Sequence, residues 1–154
     1  MRTLKDTVDT VSMLYAALEN LIDVTQIIKK QHQQELIGDI VWLRDFCTIR
    51  LQAARRSGHD SCIRKMIEEN SDKQFMIVHP TIHQSRYFKD NNRSFSNYRL
   101  ATAYSIEDFR GIPDINYIIV NTASCVKEQD LNKIYSFATG YITKNPDFLI
   151  IMIG

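Results

Sequence analysis

The chain has 154 residues, 44% of them hydrophobic and 24% charged, with a formal net charge of +1. That is the length of one ordinary domain and the balance of a soluble globular protein. No run approaches the ~18–20 uninterrupted apolar residues of a bilayer span, and the N-terminal MRTLKDTVDTVSMLYAAL carries charges where a signal peptide would be apolar.

Charge is unevenly spread. Residues 1–43 and 100–154 each hold four Lys/Arg against six Asp/Glu, whereas residues 44–99 hold eleven against six. A basic middle between acidic flanks is compatible with contact to phosphate or nucleic acid. Cys47, Cys62 and Cys125 are odd in number and far apart, with no metal-ligand spacing. They suit free thiols in a reducing compartment, so a cytoplasmic setting is expected, the host's if the protein is viral.

From Leu4 to about Gln34, apolar residues from Leu4 and Val8 to Ile27 and Ile28 step by three and four without Gly or Pro, which predicts one long helix or two in line. Asp6 and Asp9 near its start and Lys29 and Lys30 near its end suit the helix dipole. The helical pattern continues from Glu35 to Phe46, with Gly38 as a bend. Residues 1–46 are thus expected to form a helical layer, with a partner-binding helix as the alternative.

After that the period changes. Strands are expected near 47–53, 74–79, 98–104, 115–121 and 147–153. Between them a helix is expected from His59 to Asn70, a brief helical or loop segment from Thr81 to Phe88, and polar turns over 89–97. Ser105 is a candidate N-cap, with Asp108 three residues on, Gly111-Ile112-Pro113 a stop, and Glu128 to Ile142 an amphipathic helix. Apolar strands separated by helices indicate a mainly parallel sheet with helices on both faces over 47–154, forming one compact unit with the N-terminal layer.

Ala53-Ala54-Arg55-Arg56-Ser57-Gly58-His59-Asp60, followed by Ser61, has the spacing of a phosphate-binding loop between a strand and a helix. Next come FMIVHPTIHQ (75–84), FRGIPDINYIIVNTAS (109–124) and the terminal FLIIMIG. In order and spacing this succession resembles the P-loop ATPases of the RecA-like helicase and phage large-terminase type. The resemblance implies a RecA-like core whose first strand lies centrally, beside the Ile115–Asn121 strand. It implies a phosphate and Mg²⁺ site at Arg55, Arg56, Ser57, Gly58, His59, Asp60, Ser61 and Asn121.

The departures fall on the chemistry. His59 stands where the family has a phosphate-neutralising lysine, and an unperturbed imidazole of pKa ~6.5 is mostly neutral near pH 7. Asp60 stands where a hydroxyl holds Mg²⁺, and brings negative charge beside a triphosphate. Asn121 replaces the metal-holding Asp and Thr122 the water-activating Glu; neither can act as a general base at neutral pH. The expectation is a degenerate P-loop domain that binds rather than hydrolyses, an accessory in viral or mobile-element DNA metabolism. No catalytic residue and no required cofactor are expected. The alternatives are an ATP-binding or ATP-hydrolysing protein, with ATP and Mg²⁺, completed by a partner, and an interaction module that acts, or self-associates, through the N-terminal helix.

Two other groupings stand out. His79 and His83 are four apart, but Pro80 prevents the helical alignment a metal pair needs, so no metal is expected there. Tyr87, Phe88, Phe95 and Tyr98 alternate with Arg86, Lys89, Arg93 and Arg99. That mixture could stack single-stranded bases and hold their phosphates, or serve as a surface loop with aromatic anchors. The partner is therefore expected to be protein or nucleic acid, with no membrane involved.

Overall fold

The structure, a computed structural model, describes residues 4–32, 36–52, 58–112 and 114–154, with side chains from Thr10 onward. Its elements in chain order are α1 (Leu4–Lys30), α2 (Asp39–Phe46), β1 (Thr48–Leu51), α3 (His59–Glu69), β2 (Phe75–His79), α4 (Ile82–Asn91), β3 (Tyr98–Thr102), β4 (Tyr117–Asn121), α5 (Glu128–Ala138) and β5 (Leu149–Ile153). Short 3₁₀ turns occupy Ile106–Phe109 and Ala123–Cys125.

The five strands form one all-parallel sheet in the order β1-β5-β4-β2-β3. The architecture is α/β, a parallel sheet with helices, preceded by an N-terminal helix. Strands β2 and β5 are buried at every residue, and β4 at all but Tyr117. Right-handed crossovers put α3 and α4 on one face and α5 on the other; α1 packs on α3, and α2 on α5.

One expectation fails. β1 stands at the sheet edge with β5 between it and β4, rather than centrally beside β4. The physical reason lies in its composition. β1 reads Thr-Ile-Arg-Leu, and only Ile49 is fully buried, so this strand suits a half-solvated edge while the continuously apolar LIIMI takes the interior.

Several boundaries also shift. α1 ends at Lys30, and Gly38 is the N-cap of a separate α2 with φ −58° and ψ 145°, not a bend in one helix. β1, β3 and β4 are shorter than expected, and α5 stops at Ala138, with turns carrying Tyr141 and Ile142 into the core. α4 runs through Asn91; at its start Thr81 is the N-cap, its hydroxyl accepting from the Gln84 N–H and donating to Gln84 Oε1. Ser105 caps differently from expectation. Its Oγ accepts from the Thr102 N–H instead of bonding forward to the helical turn.

α1 runs along the domain from the carboxyl ends of the strands to their amino ends. Near its start Val11 sits over Gly58, at the carboxyl end of the strands; near its end Lys29 reaches the segment before β5. Among the described residues one helix by length and composition could cross a membrane, Thr10–Lys30, with mean hydropathy 1.2. Its inner side supplies Leu14, Tyr15 and Leu18 to the core of this domain.

Candidate functional site

From β2 the chain steps outward to β3; from β4, the neighbour of β2, it steps back to β5. Connections leaving adjacent strands in opposite directions open a crevice outside their carboxyl ends, the usual ligand position in parallel sheets. His79 ends β2 and Asn121 ends β4. Both are polar residues closing an otherwise apolar run, and both are buried, His79 to 1% exposure and Asn121 to 4%.

These two meet a third residue from the phosphate-loop stretch. Asn121 Nδ2 donates to Asp60 Oδ1 at 2.7 Å and lies 3.2 Å from His79 Nε2; on the other side of the ring, Ser85 Oγ is 3.1 Å from His79 Nδ1. The proton positions follow from what each group can do. A carboxylate only accepts, so the amide nitrogen must face Asp60, and the same NH₂ then donates to Nε2. The imidazole proton is therefore on Nδ1 and donated to Ser85. Ser85 accepts from the imidazole instead of losing a proton to it, which is the reverse of a Ser–His nucleophile pair. Burial pushes the His79 pKa down to about 4, against the upward pull of the Asp60 charge, so the ring is neutral at physiological pH.

Asp60 lies in the first turn of α3, where an acidic side chain complements the positive helix end. Gly58 is the N-cap, with φ +95°, a left-handed conformation that a side chain adopts only under strain. A Cβ there would also come within 2.7 Å of Val11 Cγ2. Both facts account for glycine without invoking a bound phosphate. Thr122 holds φ +56°, an outlier for a β-branched residue. It is stapled from beyond, since the Ser124 N–H donates to the Gly154 carbonyl at 2.8 Å. The Nδ1 of His59 would lie 3.7 Å from a Cβ on Gly154, so His59 borders the same crest.

Asp60, His79, His83, Gln84, Tyr87, Asn121 and Thr122 line a depression of about 250 Å³. Asp60 and Tyr87 also line an adjoining one of about 240 Å³ with Ser61, Arg64 and Asn92. Asn121 turns its amide N–H, not its amide oxygen, toward Asp60. Among the described residues no group of three or more His, Cys, Asp and Glu is placed to share a metal.

Of the expected phosphate-site residues, the fold thus brings Asp60 and Asn121 into direct contact and sets Gly58, His59 and Ser61 around the same helix start. Arg55, Arg56 and Ser57 lie outside the described residues. Sequence reasoning missed His79 and Ser85 as members of the site. The available signal was a polar residue ending a buried strand.

The expected base-stacking group is split. Phe88 is buried at 2% exposure against His79 and Tyr98, and the Tyr98 hydroxyl donates to the Asn92 carbonyl, so both serve packing. Phe95 is partly buried under Arg64, which leaves Tyr87 as the open ring. Arg86, Lys89 and Arg93 are exposed on or just after α4, with Arg93 paired to Asp90 at 2.7 Å. Arg99 alternates in β3 with Tyr98, which faces α4, so it projects to the opposite face. The four cations do not make one patch. Compared with known proteins, the chain matches no family model, and no curated protein is detectably similar to it in sequence.

Proposed function

We propose that this protein is a P-loop-like domain that binds without hydrolysing nucleotide, an accessory in viral or mobile-element DNA metabolism working in the cytoplasm, the host's where the source is a virus. The observation that carries this reading is the Asp60–Asn121 hydrogen bond. In the resembled family the two positions hold one Mg²⁺ between them. Their meeting here, from residues far apart in sequence, supports the alignment of loop and strand. Here one of the two is a carboxylate and the other a neutral amide, joined by a hydrogen bond. The helix end that would attract a phosphate already has the Asp60 carboxylate in its first turn. A triphosphate arriving there meets like charge, and neither Asn121 nor Thr122 can take a proton from water.

The binding partner on this reading is nucleic acid or protein reached through the basic middle of the chain, with Arg86, Lys89 and Arg93 on one side of α4. Two free thiols, Cys47 and Cys62, are buried, and Cys125 is exposed, in keeping with a reducing compartment. Calorimetric titration with ATP and Mg²⁺, run beside a short single-stranded DNA, tests the reading. The expected result is no ATP turnover and DNA binding that weakens steeply with salt as counterions are released. His59→Lys with Asp60→Thr should improve nucleotide binding while turnover stays absent. Robust Mg²⁺-dependent turnover by the unaltered chain overturns it.

A further inference from the structure

The outward side of α1 is apolar over most of its length. Met13 is 73% exposed, Val24 51% and Ile27 58%, with Leu21 and Ile28 also open and Ala16 and Ala17 exposed between them. Residues 13, 17, 20, 24 and 27 step alternately by four and three, the 3.5-residue average of a helix–helix seam. Four of those five are apolar. The fifth, Asn20, stands at the middle of the stripe.

We propose that α1 is a dimerisation helix, its outward stripe packing on the same stripe of a second copy about a two-fold axis at Asn20. The stripe is close to symmetric about that residue, with small Ala17 and Val24 on either side and larger Met13 and Ile27 at the ends. Asn20 selects the occupant. A carboxamide carries both donor and acceptor, so two copies meeting at a two-fold satisfy each other. An apolar partner surface would bury the amide unpaired, at a cost of roughly 1–3 kcal/mol. A single polar seam residue of this kind is also what fixes register in paired helices.

Insertion into a bilayer is the competing use of an apolar helix. It is disfavoured because Glu19 and Asp23 lie exposed along one flank of the stripe at mid-length, where they would be drawn into hydrocarbon. The stripe from Met13 to Ile28 is about 24 Å long and about 10 Å wide, small beside the ~800 Å² per partner of a standard interface. The dimer is accordingly weak and concentration-dependent.

Sedimentation equilibrium on the full chain over a wide concentration range tests the proposal. The expected result is a shift from the monomer mass toward twice that value. Val24→Glu with Ile27→Glu should weaken association at least roughly tenfold and leave the circular dichroism unchanged, since both side chains face away from the core. In a Cys125→Ser background, Asn20→Cys should form a disulfide-linked dimer on mild oxidation. A chain that stays monomeric throughout, a glutamate variant that associates as well as wild type, or flotation of monomers with neutral phospholipid vesicles would each overturn it.

Discussion

The amino and carboxyl ends of the strands use polar groups in different ways. At the amino ends, side chains bond to backbone. The Asn97 amide donates to the carbonyls of Ile67, Asn70 and Lys73, Asn116 Oδ1 accepts from the Gln74 N–H, and the Lys29 ammonium donates to the Pro146 and Phe148 carbonyls at 2.7 and 3.1 Å. Burial lowers the Lys29 pKa, so this cation is held by carbonyl oxygens at a desolvation cost. In the crevice at the carboxyl ends of β2 and β4, side chains bond to side chains, in the chain Asp60–Asn121–His79–Ser85, beside a strained Thr122. The first arrangement fastens loops to the ends of strands. The second fixes the orientation of groups that line a crevice. Buried polarity alone does not mark a site; what it is bonded to does.

Four experiments sharpen that contrast, from the largest expected effect to the smallest. Asn97→Ala strips three carbonyls of a shared donor and should cost about 3 kcal/mol in urea unfolding, with no effect on any ligand at the carboxyl ends. The carboxyl ends should instead betray themselves through pH. The His79 pKa is depressed from 6.5 to about 4, so the unfolded chain binds the proton more readily between those values. Stability from this group is complete above pH 6.5 and falls as pH drops toward 4, by roughly 3 kcal/mol in all. Unfolding midpoints measured from pH 7 to 4 should show that slope in wild type and lose it in His79→Gln.

Gly58→Ala should cost about 2 kcal/mol through its left-handed φ and its approach to Val11. Pairing it with Val11→Ala should cost less than the sum of the two, because the contact is already gone. Asp60→Ala removes one bond to Asn121 from an exposed carboxylate and should have the smallest effect, under about 1 kcal/mol, read by thermal melting. If Asp60→Ala proved the most damaging of the four, the carboxyl ends would be the structural ones and the contrast would be inverted.

Much of this architecture was legible in the residues. FMIVH, YIIVN and LIIMI are apolar runs of strand length, and they occupy the three interior positions of the sheet. The edge positions were legible too, though they were not read: Thr48 and Arg50 in one outer strand and Arg99 in the other mark half-solvated edges. Strand order itself comes from which apolar faces bury each other across the whole chain, which no local window contains. α4 ran past expectation because Asp90 and Asn91, poor helix formers, are held there by Arg93 and by the Tyr87 carbonyl. Asp60 and Asn121 were singled out through the resemblance. That they would touch depended on a fold that brings residues 61 apart to 2.7 Å.

The route of α1 across the domain has a consequence for how the chain is made. β1 pairs only with β5 among the described strands, and the far end of α1 is fastened by Lys29 and Gln26 to carbonyls of residues 146–148. β1 therefore gains its strand partner, and the far end of α1 its fastenings to 146–148, only once those residues have been made. At ~5–20 residues per second, the hundred or so residues between them take roughly 5–20 s to synthesise. Through that interval β1 lacks its strand partner and the outer apolar side of α1 is bare, while its inner side already has α3 to rest on. A ribosome-stalled chain ending near residue 140 should leave β1 open to protease, while a chain that includes β5 protects it.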